Sequence, residues 1–179
     1  MRKVIVSNLM SLDGFFEGPN HELDWFLVDE EFFEYARDML RGVDTILFGR
    51  KTYLHMANYW PSAPADEIAN QMNNLPKIVF SRTLQIAVWN STLVKSDAVA
   101  EISRLKELPG KDMVILGSAS LASLLLQQGL IDEYRVILNP VFLGSGKPLF
   151  QDVKEGIRLK LSRTKLFGSG VAVLYYQSA

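Results

Sequence analysis

Residues 45–52 read Thr45-Ile46-Leu47-Phe48-Gly49-Arg50-Lys51-Thr52: an apolar run, a glycine, two cations and a hydroxyl. An apolar run of this length, without polar alternation, suits a strand buried on both faces. The glycine at its end predicts a sharp turn into a helix at residues 50–56. A helix start behind such a turn offers unpaired N–H groups and the positive end of the helix dipole, and a glycine lets backbone approach a ligand. Gly49, Arg50, Lys51 and Thr52 therefore read as a cradle for the phosphates of a dinucleotide. The competing reading is an ordinary strand–helix turn flanked by solvated cations.

The same alternation extends in both directions. Upstream, residues 4–7 predict a buried first strand, and Gly14, Gly18 and Pro19 mark a loop. Residues 29–40 predict a helix with acidic residues in its first turn, Phe32, Phe33, Ala36, Met39 and Leu40 on one face, and Gly42 as its stop. Downstream, a loop rich in Pro, Ala and Asn leads to a strand at 78–81. A helix follows at 99–108, ended by Pro109-Gly110, then a strand at 113–116, a helix at 119–128 and a strand at 133–138. Segments 157–166 and 171–177 flank Gly168-Ser169-Gly170 and predict an antiparallel hairpin. The pattern is that of an α/β fold, with a mainly parallel central sheet and an antiparallel C-terminal hairpin.

With 179 residues, 48% of them hydrophobic and 22% charged, the chain has material for one full-sized domain. A formal net charge of -1 gives no electrostatic footprint for nucleic acid or an anionic membrane. No apolar stretch approaches the length of a membrane span, and no signal-peptide core follows the N-terminus, so the cytoplasm is the expected location. The absence of cysteine removes disulfides, thiolate nucleophiles and thiolate zinc sites. The two histidines, His21 and His55, are too far apart for a compact ligand motif, so no metal is expected. Gly144-Ser145-Gly146-Lys147-Pro148 lacks the first glycine and the Ser/Thr of a P-loop, and Leu149 stands where the last glycine of a Rossmann fingerprint belongs. No G-x-S-x-G motif supports a serine hydrolase.

Two further strand ends carry phosphate chemistry. Ser81-Arg82 joins a hydroxyl to a guanidinium that can fork onto a phosphate monoester such as the 2′-phosphate of NADPH. The alternative is an exposed loop arginine. Gly117, Ser118, Ala119 and Ser120 are small residues opening a helix, where a pyrophosphate can rest. Ser118 or Ser120 can instead cap that helix. On the substrate side, Asp13 can contact a ring amide or relay a proton, or simply cap its loop. Asp24, Asp29, Glu30 and Glu31 add carboxylates, and Trp25, Phe26, Phe33, Tyr53 and Trp60 offer either an aromatic wall or core packing.

The ordered set of segments resembles the dihydrofolate reductase-like superfamily. The branch is that related to the C-terminal reductase domain of bacterial riboflavin biosynthesis. The matching pieces run from Val4-Ile5-Val6-Ser7 and Ser11-Leu12-Asp13-Gly14 through Phe48-Gly49-Arg50-Lys51-Thr52-Tyr53, Val79-Phe80-Ser81-Arg82 and Leu116-Gly117-Ser118-Ala119. They end with Pro140-Val141-Phe142-Leu143-Gly144-Ser145-Gly146-Lys147-Pro148-Leu149-Phe150. The resemblance implies a three-layer α/β/α domain with NADPH lying across the strand ends. Gly49, Arg50, Lys51 and Thr52 would then hold cofactor phosphates, Ser81 and Arg82 the 2′-phosphate, and Gly117, Ser118, Ala119 and Ser120 the pyrophosphate. It also implies a homodimer, for which the apolar tail at 171–176 is the local motive. The implied reaction is reduction of a small heterocycle, first an aminouracil ribosyl phosphate and second dihydrofolate, with Asp13 and Glu30 as candidate catalytic residues. A dinucleotide-binding module without catalysis is the alternative from another class. The sequence departs from the branch where an Asp-Asp-Pro stretch usually grips a ribose phosphate: Tyr53-Leu54-His55-Met56-Ala57-Asn58-Tyr59-Trp60-Pro61 stands there.

Overall fold

A computed structural model describes residues 1–178 except 152 and 154. Its first strand, β1 (Val4–Ser11), is followed by a short β2 (Phe15–Glu17), α1 (Glu30–Arg41), β3 (Val43–Gly49), α2 (Arg50–Tyr59) and α3 (Glu67–Asn74). Next come β4 (Lys77–Phe80), β5 (Ser91–Val94), α4 (Ala98–Glu107), β6 (Asp112–Leu116), α5 (Ala119–Gln127) and β7 (Glu133–Asn139). The chain finishes with β8 (Lys147–Pro148), β9 (Leu159–Leu166) and β10 (Ala172–Ser178).

Eight strands form one sheet in the order β5-β4-β3-β6-β1-β7-β10-β9. Every pairing from β5 to β7 is parallel, and β10 runs antiparallel to both β7 and β9. The expected parallel sheet with a terminal hairpin is what the chain builds. Strands β2 and β8 pair separately as a two-stranded flap.

Alternation along the strands explains the layers. Val4, Val6, Leu47, Met113 and Ile115 pack on Ile102 and Leu105 of α4 and on Leu121 and Leu125 of α5. The intervening Ile5, Ile46, Phe48, Val79 and Val114 pack on Met39 and Leu40 of α1, Tyr53 of α2, and Ile68 and Met72 of α3. Helices thus cover both faces, as the continuous apolar runs require. Burying each such side chain contributes about 1.5–3 kcal/mol.

Several elements differ from expectation. The loop after α2 contains α3, whose Asp66 cap accepts the Ala69 N–H at 2.7 Å and whose Ile68, Ala69 and Met72 are buried. Strand β5 was not expected; it is four residues long and carries only one side of the sheet edge. On α1 the buried aromatic is Tyr35, not Phe33, which is 38% exposed. The tail expected to form a subunit interface is largely internal, because Val171, Val173 and Tyr175 pack with Tyr35 and Phe167 beneath α1.

Candidate functional site

Strands β4, β3 and β6 are neighbours in the sheet, so the three sequence-predicted phosphate sites come together at one carboxyl edge. The turns after β3 and β6 are stitched to each other. The Gly49 N–H donates to Ser118 Oγ at 2.8 Å, and the Ser118 N–H donates to Thr52 Oγ1 at 2.9 Å. The Gly117 N–H donates to Asn8 Oδ1 at 2.6 Å, and Asn8 Nδ2 returns a bond to the Gly117 carbonyl at 3.2 Å. Gly117 (φ 66°) and Ser118 (φ 55°) are both left-handed. A Cβ on Gly117 would also stand 2.8 Å from Thr52 Cγ2. Here the glycine is required twice over, by conformation and by space. Gly49 is different: its φ is −82°, and a Cβ there would meet Ser118 only at ordinary contact distance. The Gly49 and Ser118 amides are both spent on this stitch.

What remains available lies one residue further on. Helices α1, α3 and α4 begin with Asp29, Asp66 and Asp97, each accepting a first-turn N–H and each followed by an acidic residue in that turn. Helices α2 and α5, at the stitched turns, have no side-chain cap and no acid in the first turn. The first N–H groups of a helix have no intrahelical partner, and an anion in front of them is favoured by the dipole as well. Two uncapped helix starts on neighbouring strands suit a pyrophosphate.

Cations surround this place. Arg50, Lys51 and Arg82 are exposed and make no ion pair among the described residues. Ser81 Oγ accepts the N–H groups of Thr83 and Leu84 at 3.2 and 3.0 Å and lies 3.5 Å from Thr83 Oγ1. The Ser81 N–H donates to the Val94 carbonyl at 3.1 Å, which brings Lys95, the residue after Val94, alongside the Ser81-Arg82 turn. Lys95 was missed in the sequence because β5, which positions it, was missed. Ala119 is buried and can offer only backbone, whereas Ser120 is exposed at the α5 start. These residues fit a dinucleotide bearing a third phosphate.

The substrate side is built by residues 12–29 and the start of α1. The loop closes over the ends of β1 and β7: the Leu12 N–H donates to the Val141 carbonyl, and the Leu27 N–H to the fully buried Asn139 Oδ1 at 2.9 Å. Phe16, on the flap, reaches to within 3.6 Å of where a Cβ of Gly117 would stand, so flap and stitched turn meet there. The Asp13 carboxylate receives Ser11 Oγ at 2.6 Å and the N–H groups of Leu143 and Gly144, the latter at 2.7 Å. The Ser11 bond first, then those backbone donors, hold its carboxyl below the ordinary aspartate range. Asp13 thus anchors the flap as a carboxylate. Glu30 points outward to Arg37 at 2.6 Å, with most of its side chain in solvent. Neither is arranged as a proton donor.

Of the expected aromatic wall, Trp25, Phe26 and Phe33 join Phe32, which the wall did not include, in a contiguous row with centroids 6.0, 6.4 and 6.3 Å apart. Tyr53 leaves it: it is buried against Phe48 and Trp89, with its hydroxyl on Val88. Trp60 leaves it too, donating to Met56 Sδ at the far end of α2. Beneath α1, Tyr35 meets Ser7 Oγ at 2.9 Å, and burial pushes the Tyr35 hydroxyl up to about 12. A groove of about 610 Å³ between α1 and α3 is lined by Arg41, Glu67 and Lys111, at the opposite edge of the sheet from this chemistry.

The family model described as the RibD C-terminal domain matches residues 2–173. The chain belongs to this family. Among curated proteins, the uncharacterized protein YyaP of Bacillus subtilis strain 168 is 38% identical over 179 residues, covering 98% of this RibD C-terminal domain and 94% of YyaP. Among solved structures, a protein of Shewanella sp. PV-4 described as belonging to riboflavin biosynthesis superposes with a TM-score of 0.80 at 22% identity, over 99% of both chains. The Thermotoga maritima diaminohydroxyphosphoribosylaminopyrimidine deaminase/5-amino-6-(5-phosphoribosylamino)uracil reductase superposes with a TM-score of 0.72 at 16% identity. That match covers 99% of this RibD C-terminal domain and 57% of the Thermotoga chain. At the level of the family the chemistry is that of a reductase.

Proposed function

We propose that the chain is an NADPH-dependent reductase of a small heterocyclic substrate, acting in the cytoplasm. One observation carries the cofactor: the two helices without side-chain N-caps, α2 and α5, start side by side at the stitched turn, among cations that no carboxylate of the described residues engages. Backbone of Arg50, Lys51, Ala119 and Ser120 would hold the pyrophosphate, with Thr52, Gly117 and Ser118 shaping the turn and Gly49 closing it. Ser81, Arg82 and Lys95 would take the 2′-phosphate, a dianionic monoester suited to a forked guanidinium. Bound there, the reduced nicotinamide supplies the hydride. The chain's own part is to orient both ligands and exclude water, with Phe16 and the flap anchored by Asp13 over the junction. The reaction in the Thermotoga protein's name, reduction of an aminouracil bearing a phosphoribosyl group, sets the first substrate class to try, and dihydrofolate is the second.

The test of the cofactor is a titration of Arg82→Ala with NADPH and NADH. Losing one charge-assisted bond should weaken NADPH roughly tenfold or more and leave NADH nearly unchanged. Equal losses for both would remove Arg82 from the 2′-phosphate. A dinucleotide-binding module without turnover is the second reading, favoured by the engagement of both Asp13 and Glu30 elsewhere. Stopped-flow hydride transfer separates it from an enzyme.

The proposed partner, besides substrate, is a second copy of the chain. On the face opposite α1, strand β9 presents Leu161 and Leu166, 48% and 73% exposed, beside Leu174 of β10. Its other face carries Lys160, Arg163 and Lys165. The apolar face holds no charge, so apposing it to itself brings no like-charge penalty.

A further inference from the structure

Nineteen lysines and arginines occur in the chain, yet none lies between residues 4 and 36, where eight acidic residues do. That segment is β1, the loop that closes over it and the first half of α1, the substrate side of the cleft. Cations reaching this side from elsewhere are already engaged. Lys147 pairs with Glu17 at 3.8 Å, Lys165 with Glu34 at 3.7 Å and Arg37 with Glu30 at 2.6 Å, each on a carboxylate of the same segment. Arg135, the register partner of Ser7, gives Nε to Glu133 Oε1 at 2.5 Å and lies over the Tyr175 ring. Among the described residues, the cations left at the carboxyl edge are Arg50, Lys51, Arg82 and Lys95, all on the cofactor side. NADPH brings roughly three to four negative charges at neutral pH. Four cations answer one such polyanion, and among the described residues none remains at this edge for a second.

Resting on the NADPH-reductase reading, we infer that the second ligand is a flat, uncharged heterocycle with no phosphate or carboxylate tail. The contiguous rings of Trp25, Phe26, Phe32 and Phe33 supply a surface for such a ligand. Carboxylates such as Asp24, exposed and without an ion pair among the described residues, oppose an anionic tail. In a cleft that excludes water this repulsion is screened less than on an open surface. The phosphate of the phosphoribosyl group in the substrate the Thermotoga protein is named for is the feature this chain would reject, as are the glutamyl carboxylates of a folate.

The experiment uses 5-amino-6-ribosylaminouracil and its 5′-phosphate, each offered to the NADPH-saturated chain as substrate and, by calorimetry, as ligand. The phosphate-free compound is expected to lead by roughly tenfold or more in kcat/KM or Kd. The gap should narrow as salt is raised, and narrow again in Asp24→Lys with NADPH affinity unchanged. Equal or better use of the phosphorylated compound, or failure to bind either, overturns the inference. NADPH binding is measured first by quenching of protein fluorescence: its absence removes the reductase reading, whereas its presence with a preference for phosphate removes only the uncharged substrate.

Discussion

Lys77 is an ammonium group with 1% of its surface exposed and, among the described residues, no carboxylate against it. Its Nζ donates to the Asn73 carbonyl at 3.0 Å and sits 4.0 Å over the Trp89 ring. Those contacts soften its burial without matching the hydration it gave up, and burial lowers its titration to about 8. The unfolded chain keeps the proton up to the ordinary lysine value of 10.5, so between these points the unfolded state binds more protons. Stability therefore rises with pH across that window. Thermal melts from pH 7.5 to 10 should show an upward trend that Lys77→Met flattens; an identical slope in the variant would assign the trend to another group. Asp13 is the opposite case, a carboxylate on the surface whose partners at Leu143 and Gly144 keep it charged and fix the flap.

At the scale of elements, the decisive unit is the pair of turns that start α2 and α5. Ser118 holds a left-handed conformation that costs a side-chain-bearing residue about 1–2 kcal/mol, and its hydroxyl accepts the Gly49 N–H. Ser118→Gly should relieve the conformation and lose the bond, whereas Ser118→Ala should lose the bond and keep the cost. The expected order of melting temperature is wild type, then Gly, then Ala, with NADPH affinity reduced in both variants. An alanine variant as stable as the glycine one would show that the backbone there is not held left-handed. Strands β3, β4 and β6 were legible because long apolar runs leave little choice of element, and Arg50 and Arg82 were legible because they directly follow such runs. Lys95 was not, since β5 is four residues of mixed polarity. Helix α3 hid behind prolines and asparagines, and its identity comes from the Asp66 cap and three buried side chains. The tasks of Asp13 and Asn8 rest on partners more than a hundred residues away, Gly144 and Gly117, which no local pattern records.

For the whole molecule, charge is sorted across the cleft, with unpaired cations at β3–β5 and acids around α1. The same sorting recurs on β9, basic on one face and apolar on the other. Multi-angle light scattering should report a dimer at micromolar concentration, and Leu161→Asp combined with Leu166→Asp should report a monomer that still binds NADPH; a monomeric wild type would remove the second copy. The placement of β1 has a consequence for how the chain is made. This strand is made before the rest of the sheet, yet it lies inside it between β6 and β7, whose residues start at Asp112 and Glu133. Val4, Ile5 and Val6 must therefore wait without their permanent neighbours until most of the polypeptide has been synthesised. Closure of the centre is a late, long-range event, and until β6 and β7 are made the nascent chain carries an unpaired apolar strand.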